Sequence, residues 1–439
     1  MTAPGLIIAA PASGSGKTSI TLGLLRALRR RGLKVASAKV GPDFIDPAFH
    51  TAASGRPCLS LDGWAMRPPT LAGLVSQLGQ EADLVICEGV MGLFDGALTA
   101  PGQPDGSTAA LALATGWPVV LVIDGRGMIA SAAAVLAGFH HLRPGPGIAG
   151  VIFNRIRSPR AANAIASASR AACPEVIPLG MVPPLSGLEL ESRHLGLVQA
   201  SERSDLESLL ESTADRVADA LDLEALVALA RPARLAGAVP CPLAPPGPRI
   251  AVARDVAFAF AYPAMLEGWR NAGAEILPFS PLADAAPDVT ADAVYLPGGY
   301  PELHAGRLAG NLGFLSGVRA AAARGAAVFG ECGGYIVLGR GLEDQDGQRH
   351  AFLGLLGLES SFAVPRLHLG YRRATLVAAG PLGAAGAVFR GHEFHYSRVV
   401  SEQGEPLFTA SGADGAALGG RGLAEGRVCG SFVHLIDRE

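Results

Sequence analysis

Three short stretches of this chain bring together residue types that do chemistry. In GECGGY (330–335), Cys332 sits between small residues, just after the apolar run AAVF (326–329). A nucleophile exposed on a strand-to-helix turn needs a sharp backbone kink, and flanking glycines tolerate the positive φ that such a kink demands. The N-terminus of the following helix is expected to bias the thiol toward thiolate. In PGGYPE (297–302), Gly298 and Gly299 offer amide N–H groups that, with the N–H of Gly333, would form an oxyanion hole. In SFVHL, His434 supplies a base. Thiol, base and oxyanion donors are the parts of nucleophilic attack on an acyl carbon. A free cysteine is more often a small buried hydrophobe, but here the glycine elbow, the upstream Gly-Gly and the downstream histidine all argue the other way.

The other end of the chain carries a second chemistry. GLIIAAPASGSGKTSITLGLLRALRRRG (5–32) reads as an apolar strand, a Gly/Ser loop and an amphipathic helix. In such a loop the backbone of Ser13, Gly14, Ser15 and Gly16 cradles phosphates, Lys17 reaches the β/γ oxygens and the Thr18 hydroxyl ligates Mg²⁺. The first glycine of the usual loop is replaced by Pro11. The strand before and the helix after supply the context that the motif needs.

Carboxylates cluster beside this loop. KVGPDFIDPAFH (39–50) places Asp43 and Asp46 past the second apolar run, and CEGVMGLFDG (87–96) places Glu88 at the end of the third, with Asp95 in the loop beyond. Mg²⁺ takes oxygen ligands and keeps several waters, so a hydroxyl and one or two carboxylates suffice. Thr18, Asp43 and Glu88 make such a set, leaving Asp46 and Asp95 to position a substrate. The plain alternative for any one acid is a loop or capping carboxylate.

The runs GLIIAA, KVASAKV, DLVICEG, PVVLVID, GIAGVIFN and EVIPLGMV, which must position these residues, alternate with helical stretches. This argues for a mostly parallel, doubly wound sheet, with Glu88, Asp124 and Asn154 at the carboxyl ends where ligands bind. The segment 205–230 reads as surface helices, and Pro240 to Pro248 as a linker. A second series of strands starts at 249, and 361–378, 387–400 and 427–436 read as strands with turns. At 439 residues, 49% hydrophobic and a net charge of −3, the chain is expected to be soluble, to hold two domains and to bind no nucleic acid. No apolar run approaches the ~20 residues of a membrane span, and the N-terminus lacks a basic start and a cleavage site. Six cysteines without CxxC spacing suit a reducing cytoplasm and argue against a zinc cage.

GPDFIDPAFH, EGVMGLFDG, RHLGL (193–197), GECGGY and GHEFHYS (391–397), in this order, resemble the a,c-diamide synthases of corrin biosynthesis. The resemblance covers nearly the whole chain. It implies an α/β protein: a P-loop amidoligase domain similar to dethiobiotin synthetase (1–200), a helical connection and linker (201–248), and a class I-type glutamine amidotransferase domain (249–439). It implies that ATP phosphorylates the a- and c-acetate carboxylates of hydrogenobyrinic or cobyrinic acid and that ammonia from L-glutamine displaces the phosphate. It further implies Asn154 at adenine and a homodimer. Arg193 and His194 are candidates for meeting the polycarboxylate substrate. His392, Glu393, His395 and Tyr396 are candidates for the junction of the two sites, with a structural role as the alternative.

One departure matters. Glutaminases of this class commonly carry a glutamate two residues after the histidine, and here that position is Ile436. Something else must then orient His434. A nickel-sirohydrochlorin a,c-diamide synthase would share every motif. A regulatory P-loop ATPase with an inactive glutaminase appendage is the reading from another class; it fits less well, because Cys332 and His434 are both retained and the loop lacks an early lysine.

Overall fold

The computed structural model describes residues 2–99, 102–142, 147–185, 192–193 and 196–439. The chain forms two compact units, one of Met1–Trp64, Pro68–Ala97 and Pro104–Val239, the other of Ala65–Arg67, Leu98–Gln103 and Pro240–Glu439.

The first unit is built on β1 (Gly5–Ala9), β2 (Val35–Val40), β3 (Leu59–Leu61), β4 (Leu84–Glu88), β5 (Val119–Asp124), β6 (Ile148–Asn154) and β7 (Ile177–Val182). They lie in the order β3-β2-β4-β1-β5-β6-β7, and every pairing is parallel. Helices cover such a sheet on both faces, so its inner strands read as continuous apolar runs rather than alternating ones. The short β3 is the strand that no such run announced. Because β4 and β5 flank β1, the chain reverses direction across β1 and opens a crevice at its carboxyl end. The register there sets Glu88 beside Lys39 and Ile8, and Asp124 beside Asn154.

Helix α1 (Lys17–Arg30) starts at Gly16, whose φ of 91° a residue with a side chain rarely adopts. It buries Ile20, Leu24, Leu25 and Leu28. Against it packs the helix Leu206–Ala220, with Leu210, Ala214 and Val217 in the same core. That corrects the expectation of a surface connection. The apolar positions of 205–230 form one buried stripe, and Gly23 lets the two helices approach so closely that a Cβ there would stand 2.5 Å from Val217 Cγ2. Arg26 reaches Glu207 and Glu211 across the same contact. Helix α2 (Ile45–Ser54) follows β2.

The second unit holds a ten-stranded sheet. From edge to edge it runs Glu275–Phe279, Arg249–Ala253, Ala293–Leu296, Ala327–Glu331, Val428–Ser431, Ala417–Glu425, Glu405–Gly412, His368–Leu376, Val388–His395 and Val433–Arg438. The first five strands are parallel and the remainder antiparallel. A four-stranded sheet of Arg349–Ala351, Gly341–Glu343, Gly357–Ser361 and Arg398–Gln403 accompanies it. The strands expected in 361–378, 387–400 and 427–436 are present. Arg67 also belongs to this unit, where it pairs at 2.7 Å with Asp437 on the strand that carries His434. Among the described residues, no helix is long and apolar enough to cross a membrane.

Candidate functional site

The loop between β1 and α1 is tied down by side chains from the far strands. Asn154 Nδ2 donates to the Ser15 carbonyl at 2.9 Å, and Arg155 donates to the Gly14 carbonyl at 2.8 Å and to Asp124 at 2.6 Å. Gly16 passes so close to Asn154 that a Cβ would stand 2.2 Å from its Nδ2. Asn154 therefore shapes the phosphate loop directly. Ser13 and Gly14 are exposed at the tip, while Ser15 is buried with its hydroxyl on the Ala12 carbonyl. Lys17 Nζ donates to the Met91 carbonyl at 2.6 Å. Burial lowers its pKa against the opposing pull of Glu88.

Beneath the loop lies a buried charge cluster. Thr18 Oγ1 donates to Glu88 at 2.7 Å and lies 3.4 Å from Asp46. Lys39 Nζ reaches both of those carboxylates, at 2.8 Å from Glu88 and 2.5 Å from Asp46. His50 contacts the other Glu88 oxygen at 2.6 Å, and Cys58 Sγ lies 3.5 Å from its Nδ1. Burial alone would neutralise Glu88, but Lys39 and His50 hold its carboxyl well below the usual range. His50 is raised to about 10 despite burial, by the Cys58 sulfur and Glu88. Glu88, Asp46 and Asp43 keep Lys39 protonated against its own desolvation.

The expected metal set is only partly assembled. Glu88 and Thr18 meet, but Asp46 rather than Asp43 stands with them. Asp43 accepts the Ile45 amide at 2.8 Å and lies 4.0 Å from Lys39, because a residue just before a helix turns its carboxylate onto the first-turn N–H groups. Asp95 accepts the Gly92 amide at 2.9 Å and so shapes the loop after β4. Among the described residues, no group of three His, Cys, Asp or Glu side chains converges to hold a metal. The hydroxyl and two carboxylates are nevertheless hard oxygen donors of the kind Mg²⁺ takes when phosphates and water complete its shell. Arg193 falls in the short strand Ser192–Arg193, and His194 lies outside the described residues.

In the second unit, Cys332 occupies the turn between the strand Ala327–Glu331 and the short helix Gly333–Leu338, at φ 48° and ψ −107°. A non-glycine residue in this region stores roughly 1–3 kcal/mol of strain, which the tight packing around it must hold. Gly334 passes the Leu296 carbonyl so closely that a Cβ would stand 1.9 Å from the oxygen. The backbone N–H groups of Gly333 and Gly299 act on the Cys332 thiol in the direction of its thiolate. A Cβ on Gly298 would stand 2.4 Å from His434 Cε1 and 3.3 Å from Cys332 Cβ, so nucleophile and base converge over that glycine.

The expected thiolate is not the resting form. Burial, with Glu302 beside it, pushes the Cys332 thiol far above its ordinary value, and the two glycine amides offset this only in part. Burial likewise lowers His434, with His392 and His395 adding to the effect. Thiol and imidazole both rest neutral, and a six-residue helix contributes too little dipole to change that. His392 stacks on His434 with ring centroids 5.0 Å apart. Glu393 accepts from Arg372 at 2.7 Å and contacts His395 at 3.2 Å; these partners lower it to about 2 against its burial. Tyr396 lies nearby, its ring 5.7 Å from that of Phe394.

Three residues were not singled out from sequence. Lys39 and His50 lie inside the KVGPDFIDPAFH stretch, and Glu331 immediately precedes Cys332. The available signal was the same for Lys39 and Glu331: a charged residue at the end of an otherwise buried strand, where desolvation demands a partner. Glu331 is 1% exposed and accepts from Tyr295 Oη at 2.6 Å and from the Leu435 amide at 2.9 Å. Burial raises it to about 7.

Residues 6–198 match the CobQ/CobB/MinD/ParA nucleotide binding domain, and residues 249–439 match the CobB/CobQ-like glutamine amidotransferase domain. Proteins named hydrogenobyrinate a,c-diamide synthase are similar over the full length. That of Rhodobacter capsulatus is 53% identical, covering 98% of each chain. That of Rhizobium meliloti is 51% identical over 99% of each, and that of Mesorhizobium japonicum is 50% identical over 100% of this chain and 99% of its own.

Proposed function

Because the chain belongs to the hydrogenobyrinate a,c-diamide synthase family of glutamine-hydrolysing, amide-forming ligases, we propose that it amidates the a- and c-acetate carboxylates of hydrogenobyrinic acid in cobalamin biosynthesis, at the expense of ATP and glutamine. The observation that carries this reading is similarity to enzymes of that name across both units rather than one.

In the first unit, a substrate carboxylate attacks the γ-phosphorus of ATP and ADP leaves, giving an acyl phosphate. The loop amides of residues 13–16 bind the phosphates, and Lys17 exchanges the Met91 carbonyl for a phosphate oxygen. Thr18, Glu88 and Asp46 would hold Mg²⁺, which supplies positive charge to the phosphates when bound. Asp43, first expected in that set, acts instead through the start of α2. Lys39 balances the two carboxylates, so the metal depends on phosphate oxygens as well as on protein. Asp95, Arg193 and His194 remain the candidates for the substrate side, while Asp46, first expected there, joins the metal set.

In the second unit, Cys332 attacks the glutamine amide carbon while His434 takes the thiol proton and delivers it to departing ammonia. The N–H groups of Gly299 and Gly333 stabilise the oxyanion. Water then releases glutamate, and ammonia displaces phosphate from the acyl phosphate. The enzyme works in the cytoplasm, and a homodimer is the expected assembly.

The test is ATP-dependent amidation of hydrogenobyrinic acid, followed by mass, for wild type and Cys332→Ala with glutamine or ammonium as the nitrogen source. The variant is expected to make no product from glutamine yet still add two amides from ammonium. If wild type amidates hydrogenobyrinic acid from neither source, the assigned substrate is wrong.

A further inference from the structure

The second unit contains a buried carboxylate with no part in the mechanism above, and its position is unusual. Glu331 leaves the backbone one residue before the nucleophile. It is accepted into the structure by two donors, Tyr295 Oη on one oxygen and the amide N–H of Leu435, one residue after the base, on the other. Leu435 lies in Val433–Arg438, the strand at the end of the sheet, which among the described residues pairs on one side, with Val388–His395. Its register is also interrupted. Gly391 faces Leu435 and Arg390 faces Asp437, so Ile436 is an extra residue without a counterpart. A bulge of this kind disrupts the ladder locally and re-aims neighbouring side chains, a device that recurs next to active sites. This happens two residues from His434, at the position where the related glutaminases carry an acid and this chain carries a buried isoleucine.

We propose that Glu331 is the positioning residue for His434: by accepting the Leu435 amide on the open side of the edge strand, it locks that strand to the end of the strand that leads into Cys332 and sets base against nucleophile. What matters is the acceptor oxygen and its reach, not the negative charge. A carboxyl raised to about 7 by burial suits this, because it accepts the amide in either protonation state. The arrangement also accounts for Tyr295, whose hydroxyl fixes the second oxygen and leaves the first aimed at Leu435.

This inference rests on the glutaminase reading, and one experiment separates the two. Glutamine hydrolysis and ammonium-dependent amidation are measured for wild type, Cys332→Ala, Glu331→Gln and Glu331→Asp, with thermal melting as the fold control. Glu331→Gln keeps an oxygen at the same reach and drops the charge. Glu331→Asp keeps the charge and withdraws the oxygen by one carbon. A misplacement of about 1 Å costs up to ~10²-fold in rate. Glu331→Asp is therefore expected to lose roughly 10–100-fold in glutaminase kcat, with KM for glutamine within about two-fold and ammonium-dependent amidation intact. Glu331→Gln is expected to stay within about three-fold of wild type.

The reverse order, with Asp active and Gln inactive, would overturn the proposal in favour of an electrostatic role. So would equal wild-type rates in both, or losses in both that follow the melting temperature and extend to the ammonium reaction. If Cys332→Ala still hydrolyses glutamine, the glutaminase reading itself has failed, whatever the Glu331 variants do.

Discussion

The two sites solve the problem of holding reactive groups in opposite ways. Beneath the phosphate loop the means is charge: Lys39, Asp46, Glu88 and His50 are buried together, and Lys39, Glu88 and His50 hold their ionised forms against burial through these contacts. Around Cys332 the means is backbone shape. A strained turn, close glycine contacts and an edge strand pinned by one carboxylate surround a thiol and an imidazole that both rest neutral. The difference follows the chemistry each site is fitted to. Phosphoryl transfer handles concentrated negative charge and needs a fixed electrostatic environment. Thiol attack on an amide needs a proton to move between two neutral groups at short range, and there geometry decides the rate.

The sharpest way to break this contrast is to remove charge from the first site. In Glu88→Gln, Lys39 and His50 lose their shared partner. Uncompensated buried charge typically costs about 3–5 kcal/mol, so the denaturation midpoint of the first unit should fall. Amidation should drop by about 10²–10³-fold from either nitrogen source, while glutamine hydrolysis persists. A variant with wild-type amidation would show that the cluster is not part of the ATP site.

The matching change in the second site is one of shape. Gly298→Ala places a methyl within 2.4 Å of His434 Cε1, which must push the ring away. Glutaminase activity should fall by about 10²-fold, with ammonium-dependent amidation unaffected and no loss of the first unit's stability. Equal rates for variant and wild type would mean that His434 does not need its present position.

The smallest expected effect is a flat line. His434 is lowered, so it remains an available base below the usual imidazole range. Cys332 is raised, so it does not ionise until well above neutrality. Glutaminase kcat/KM should therefore show no ascending limb near pH 6.5 and stay level to about pH 9, with alkylation of Cys332 accelerating only beyond that. A limb at pH 6–7 would indicate an ordinary imidazole, or a catalytic role for the charge of Glu331.

Much of this molecule was legible from local pattern. Apolar runs marked the buried parallel strands, and Gly16-Lys17-Thr18 and Gly330 to Tyr335 marked their turns, because both signals depend on residues adjacent in the chain. The helix Leu206–Ala220 was harder: its stripe announced a helix, but its partner is α1, nearly two hundred residues earlier in the chain, so its burial could not be read. For the same reason sequence placed Asp43 with Thr18, when the start of α2 takes Asp43 and leaves Asp46 in that place.

The sequence by itself determined which residue types were available and where each strand would present them: a thiol on a glycine elbow, a lysine and threonine closing a phosphate loop, acids at strand ends. Only the tertiary structure decided which of these meet. It also decided their charge states, since a pKa depends on burial and on neighbours that the fold brings from elsewhere in the chain. Glu331 shows the limit most clearly. Its partners, Tyr295 and Leu435, lie 36 and 104 positions away, and nothing short of the folded sheet brings them to one carboxylate.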